Sequence, residues 1–134
     1  MTFQVFKDLD VLPKAHQMVL SVYKLTAKFP KEEAYGIVSQ SRRAAVSVPT
    51  NICEGKTRGS DKDFLRFLFI ARASLTEIYY LIMLSRDLAY ISQQEYQQFV
   101  GQSDEVGRML NSLINSIKKD VLKSISHRRR IAKS

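Results

Sequence analysis

The stretch from Asp61 to Tyr90 limits what this chain can fold into. Phe64, Leu65, Phe67, Leu68, Phe69, Ile70, Leu75, Ile78 and the run from Tyr79 to Leu84 place apolar side chains nearly all round one helix, roughly 45 Å long at 1.5 Å per residue. A helix in a small bundle needs one apolar stripe, whereas a helix of this kind has to bury two or more faces. Arg66, Arg72 and Glu77 interrupt it, so it reads as a core helix rather than a membrane span. Three neighbouring helices in a chain of 134 residues do not cover it, so the remaining face is expected to meet another copy of the chain. Arg66, Arg72, Glu77, Arg86 and Asp87 are then either inter-chain ion pairs or the few exposed positions.

The rest of the chain supplies three amphipathic helices. Val11, Ala15, Met18, Val22, Leu25 and Phe29 keep helical spacing. They predict a first helix from Val11, capped by Asp10, with Pro13 in its first turn and Pro30 as its stop. Phe3 and Phe6 are candidate packing anchors on an arm ahead of it. Gly36 opens a second helix that runs to about Lys56. Its Val38, Ala45, Val48 and Ile52 form an apolar face, and Gln40, Arg43, Ser47, Asn51 and Glu54 form a wholly polar one. Both faces stay in phase across Pro49, which predicts a bend rather than a break. A hydroxyl, an amide and a single acid suit a partly buried hydrogen-bond network. Gly55 or Gly59 takes the left-handed conformation that ends this helix, and Ser60, with Asp63 three residues on, caps the next. Ser92 and Glu95 form a capping box for the fourth helix, whose apolar positions are Tyr96, Phe99, Val100, Val106, Leu110, Leu113, Ile117 and Val121. No strand pattern appears. The fold class is all-α: an antiparallel up-down-up-down four-helix bundle over residues 1–125, followed by a basic tail over 126–134 that is either a fraying helix end or a disordered arm.

The net charge of +8 is concentrated at one end. Lys118, Lys119, Lys123, Arg128, Arg129, Arg130 and Lys133 face one acid, Asp120, while the body of the chain is close to neutral. Such asymmetry points to a polyanionic partner, nucleic acid ahead of a membrane. The first six of these residues are candidate phosphate contacts. Arg58 and Lys62 join them, because the loop from Gly55 to Gly59 is basic and opens onto a helix N-terminus. A tail that only solubilises the protein is the plainer alternative.

No catalytic constellation stands out. Cys53 lies in an apolar helical context far from either histidine, and no HExxH or paired metal-ligand spacing is present. Glu54 and Glu77 can approach each other in a bundle, as a structural network more readily than as an acid–base pair. The chain reads as a protein without enzyme activity, cofactor or metal. A single cysteine suits a reducing compartment, and Lys7, Asp8 and Asp10 break the N-terminal apolar positions of any signal peptide. A cytoplasmic location is expected.

The order FKDLDVLPKAH, then YKLTAKFPKEEAYGIVSQSRRAAVSVPTNICEG, then FLRFLFIARASLTEIYYLIMLSRDLAYI resembles the four-helix-bundle family of proteins encoded in intervening sequences of bacterial 23S ribosomal RNA genes. The resemblance spans about Phe6 to Lys118. It places Arg42, Arg43, Ser47, Pro49, Asn51, Glu54 and Gly55 in the family's helix-two motif, and Phe64, Leu65, Phe67, Ser74 and Glu77 in its helix-three motif. Cys53 stands where the family often has a smaller residue such as Ala. A distant relative, the accessory variability determinant of diversity-generating retroelements, is a basic homopentamer that binds nucleic acid and a reverse transcriptase. The resemblance therefore implies a non-catalytic homo-oligomer, a pentamer, that binds RNA or DNA beside a reverse transcriptase. The rival expectation is a protein-interaction scaffold with no direct nucleic-acid role. In both, the helix-two motif serves structure.

Overall fold

Pro30 acts four residues ahead of itself. Its ring and its missing N–H leave the Thr26 carbonyl without a helical partner, and that carbonyl instead accepts from the Phe29 N–H at 3.1 Å. In the computed structural model, which describes residue 4 and residues 8–133, α1 therefore spans Val11–Thr26 and ends short of the expected Phe29. Phe29 is still buried, against the Tyr90 ring with centroids 5.1 Å apart. Asp10 occupies the N-cap position but its side chain caps nothing, because its backbone is already helical at φ −62° and ψ −25° and turns the carboxylate away from the first-turn N–H groups. Phe3 and Phe6 lie outside the described residues.

A short 3₁₀ turn, Lys31–Glu33, leads into α2, Ile37–Lys56. α2 is one helix through Pro49. Side chains serve the two carbonyls that follow the freed Ala45 carbonyl: Thr50 Oγ1 donates to the Val46 carbonyl at 2.7 Å and Asn51 Nδ2 to the Ser47 carbonyl at 2.8 Å. Gly55 does not terminate α2 by a left-handed turn. It lies inside the helix and is buried, and a Cβ there would stand 2.7 Å from Phe67 Cβ and 3.0 Å from Phe64 Cδ1. The left-handed residue is Gly59, at φ +87°.

α3 spans Asp61–Asp87, with the Ser60 hydroxyl accepting from the Asp63 N–H at 3.2 Å as expected. It stops before Tyr90 because Ala89 adopts φ 63°. The Ala89 N–H then bonds the Arg86 carbonyl and the Tyr90 N–H the Ser85 carbonyl, both at 2.9 Å. These two bonds make a Schellman end built without glycine, which is why the sequence hid it. α4, Gln93–Lys133, opens with the expected capping box: the Ser92 N–H donates to Glu95 Oε1 at 2.9 Å and the Glu95 N–H to Ser92 Oγ at 3.0 Å. Lys28, just beyond the end of α1, ion-pairs with the same carboxylate. Together they hold the Glu95 carboxyl below the usual carboxylate range, Lys28 contributing most.

Consecutive helices pack on each other and α1 closes on α4, which makes a square four-helix bundle. Ser47 against Ser74, Arg72 against Asn111, and Lys14 against Glu105 fix antiparallel neighbours. No strand occurs among the described residues. Helix lengths range from 16 to 41 residues, a wider spread than the periodicity suggested. The inward stripe of α4 is Tyr96, Phe99, Ser103, Val106, Leu110, Ile114 and Ile117. Leu113, expected inside, is only half-buried, and Ile114 takes its place.

α3 meets α2 on one side and α4 on another, yet its outer face keeps apolar residues in water. Ile70 is 40% exposed and Tyr80 54%, and Leu88 at the C-cap is 46% exposed. α3 is also the one helix among the described residues that is long and apolar enough to cross a bilayer, but its inner apolar residues build the bundle core. Because Ala89 is held left-handed at a cost of about 1–2 kcal/mol for a residue with a Cβ, Ala89→Gly is expected to stabilise the fold by about 1 kcal/mol. Chemical denaturation would show this as a higher midpoint at unchanged slope.

Candidate nucleic-acid interface

The polar face of α2 is built into the α2–α3 seam. Ser47 Oγ and Ser74 Oγ share a hydrogen bond of 2.8 Å, and Asn51 Nδ2 donates to Ser47 Oγ at 2.9 Å as well as to the Ser47 carbonyl. All three side chains are half-buried. Arg42 has a different task. Its Nε donates to Thr26 Oγ1 at 3.0 Å, its Nη2 reaches the Tyr23 carbonyl at 3.5 Å, and its guanidinium lies 4.5 Å from the Tyr23 ring centroid. It ties the end of α1 to α2. The register of Ser47 with Ser74 carries Glu54 toward Phe67 and away from Glu77, so the two carboxylates do not meet. Glu54 instead accepts from Arg58 at 2.7 Å. Glu77 and Arg43 flank a shallow groove of about 280 Å³ with Gln40, Ala44, Ser47 and Ser74. Burial pushes the Cys53 thiol up, away from thiolate reactivity. Among the described residues no three His, Cys, Asp or Glu side chains gather to hold a metal.

The cationic residues sit elsewhere. Ile117 is the last buried residue of α4, Val121 is half-buried, and every described position from 122 on is exposed. The helix nonetheless continues to Lys133, so the tail is a helical projection rather than a disordered arm. α4 is roughly 20 Å longer than α3 at 1.5 Å per residue. Lys119, Lys123, Arg128, Arg129 and Arg130 are presented on this exposed helix. The expected convergence with the α2–α3 loop is partial. Lys62 and Arg128 line one groove of about 320 Å³ with Ser60, Asp61, Val121, Ser124 and Ile125. Arg58 is drawn to Glu54 and lies 4.9 Å from the Phe67 ring centroid. Lys118 leans over the Phe69 ring at 5.4 Å.

A second cationic feature was not anticipated. Between α3 and α4 a groove of about 430 Å³ is lined by Thr76, Tyr79, Ser103, Asp104, Arg108 and Asn111, with Leu75 and Gly107 at its base. Arg72 borders it, donating to Asn111 Oδ1 at 3.3 Å and lying 5.0 Å from the Phe69 ring centroid. The Tyr79 and Tyr96 hydroxyls share a hydrogen bond of 3.3 Å. This bond, then burial, raises the Tyr79 pKa, so Tyr79 keeps its proton at neutral pH. The sequence signal was available: Arg108, Asn111, Asn115, Lys118, Leu122 and Arg129 repeat at helical spacing along one side of α4.

This arrangement can be set against known proteins. The family model of the 23S rRNA-intervening sequence protein matches residues 7–112. The chain belongs to that family. A crystal structure of a protein of unknown function from the S23 ribosomal protein family, from Bacteroides thetaiotaomicron, shares the fold with a TM-score of 0.70. It is 25% identical over 78% of this chain and 97% of that one. No curated protein matches. The family match stops at residue 112, so the basic projection lies beyond it. The motif residues Arg42, Ser47, Asn51 and Gly55 lie within the matched region and are spent on helix packing.

Removing the amide by Asn51→Leu is expected to cost about 1 kcal/mol, from the lost bonds to Ser47 in a half-buried seam, and to leave nucleic-acid affinity unchanged. Urea denaturation and a filter-binding assay on the same sample would check both.

Proposed function

We propose that this chain is a non-catalytic, nucleic-acid-binding protein of the cytoplasm that works as a homo-oligomer. The observation that carries the reading is the projection of α4. A helix extending past its last buried residue, basic on several sides and carrying one acid, has no packing role to explain its charge. Spread along a helix, its cations can each approach a backbone phosphate, a contact that is independent of sequence and releases counterions. A family named for intervening sequences of ribosomal RNA makes RNA the first polyanion to test.

Self-association is supported by the outer side of α3 and its C-cap, where Ile70, Tyr80 and Leu88 remain in water, because exposed apolar patches can mark sites that a partner covers. The retroelement resemblance extends the reading to five copies acting beside a reverse transcriptase. Light scattering would then give a mass about five times that of one chain, and the purified reverse transcriptase would be retained on the immobilised protein.

The binding test is a salt titration with labelled RNA. Affinity is expected to fall linearly on a log–log plot. Neutralising Lys119, Lys123, Arg128 and Arg129 to Gln should make the slope shallower by about 3, at ~0.7 per phosphate contact on a single strand. Absence of binding at low salt, or an unchanged slope in the neutralised protein, contradicts the reading and favours a scaffold for protein partners.

A further inference from the structure

Hydrogen-bond accounting in the α3–α4 groove gives it a direction. Asn111 Oδ1 is taken by Arg72, so its amide N–H₂ is the group left over. Tyr79 and Tyr96 share one hydrogen bond between their hydroxyls, which leaves the pair one O–H proton to donate. Arg108 makes no ion pair among the described residues. The Thr76 hydroxyl is turned back to the Arg72 carbonyl at 3.2 Å. What the groove offers a visitor is therefore a set of donors, two of them on or beside a guanidinium, against the single carboxylate of Asp104. Such a lining calls for an acceptor-rich anion.

The groove is also continuous with the basic projection. Arg108, Asn111, Asn115, Lys118 and Leu122 follow one another at steps of three and four along one side of α4, and Arg129 comes seven residues later. Lys118 crosses to Phe69 of α3, where Arg72 also sits. From Arg108 to Arg129 this stripe is roughly 30 Å long at 1.5 Å per residue. Two of the other outer faces are balanced by comparison. On the α2–α3 side Glu54 pairs with Arg58, Asp63 stands 3.9 Å from Arg66, and Arg43 faces Glu77 across one groove. On the α1–α4 side Lys14 pairs with Glu105 and Lys28 with Glu95.

We infer that the α3–α4 crease is the path of a single-stranded polynucleotide, whose backbone runs from the projection past Lys118 and ends against Arg108, Asn111 and Tyr79. This rests on the nucleic-acid reading above and adds the class of strand and its track. A flexible single strand can lie in a concave crease between two helices and turn phosphate and base acceptors toward the donor row, whereas a stiff duplex reaches only the convex projection.

The test uses the full-length protein and one 20-nucleotide sequence offered as single-stranded RNA, single-stranded DNA and duplex RNA. In Arg108→Gln/Lys118→Gln, both positions being exposed, the salt slope for the single strands is expected to become shallower by about 1.4, with affinity about tenfold weaker at low salt. The slope for the duplex is expected to stay as in the unmodified protein. RNA bearing 4-thiouridine should crosslink to peptides containing Tyr79 or Asn111. A stronger effect on RNA than on DNA would assign the strand as RNA by its 2′-hydroxyl, and equal effects would assign the shared backbone. Circular dichroism melting confirms that the variant is folded. If the unmodified protein binds and its neutralised projection does not, yet the crease variant behaves as unmodified and no crosslink falls in the crease, the inference is overturned and the broader reading stands. If the unmodified protein binds no nucleic acid, both fall.

Discussion

The close approach of α2 and α3 at Gly55 is the contact on which the rest of the bundle depends. A Cβ at that position would meet Phe67 and Phe64 at or inside 3.0 Å, and overpacking of this kind typically costs about 1–3 kcal/mol. The absence of a side chain lets the end of α2 lie directly on the start of α3. Four to eight residues back along α2 the same seam closes again through Asn51 and Ser47, which meets Ser74 of α3. Two fixed points on one helix pair set its register. That register determines which face of α3 turns inward, which remains for α4, and which is left to solvent. It also places the loop from Thr57 to Ser60, and so Lys62, beside the projecting end of α4.

Much of this was legible in the residues. Apolar spacing gave four helices and their order, since an amphipathic stripe leaves few alternatives in a short all-helical chain. Ser60, and Ser92 with Glu95, are caps because short side chains at those positions satisfy first-turn N–H groups locally. The ends that were misplaced depend on longer-range effects. Pro30 releases a carbonyl four residues earlier, and Ala89 takes a conformation usually signalled by glycine. The helical state of residues 126–133 stayed open because an unpacked helix needs no apolar period. Leu113 and Ile114 were exchanged because neighbouring apolar residues on one helix differ in direction by about 100°, and only the partner surface chooses between them.

The candidate site divides in the same way. The composition of the α2 motif identified a buried polar network, and the structure places it in helix packing, with Arg42 serving the end of α1. Its residues therefore explain the packing geometry of the bundle better than a reaction, and Glu54 and Glu77 stand apart. The donor row of the α3–α4 crease escaped notice because Arg108, Asn111 and Asn115 look like an ordinary solvated face until Arg72 and Tyr79 are set across from them. Charge balance then distinguishes the surfaces. Ions on the α1–α4 and α2–α3 sides largely find opposite charges within the chain, whereas Arg108 of the crease makes no ion pair among the described residues.

Hydrogen exchange read by mass spectrometry, on the full chain with and without single-stranded RNA, tests the division between a structural seam and a binding surface most directly. The account predicts added protection in peptides covering residues 69–79 and 108–133, with the peptides of the α2 motif from Gln40 to Glu54 unchanged. Protection confined to that motif, with α4 unaffected, would contradict it.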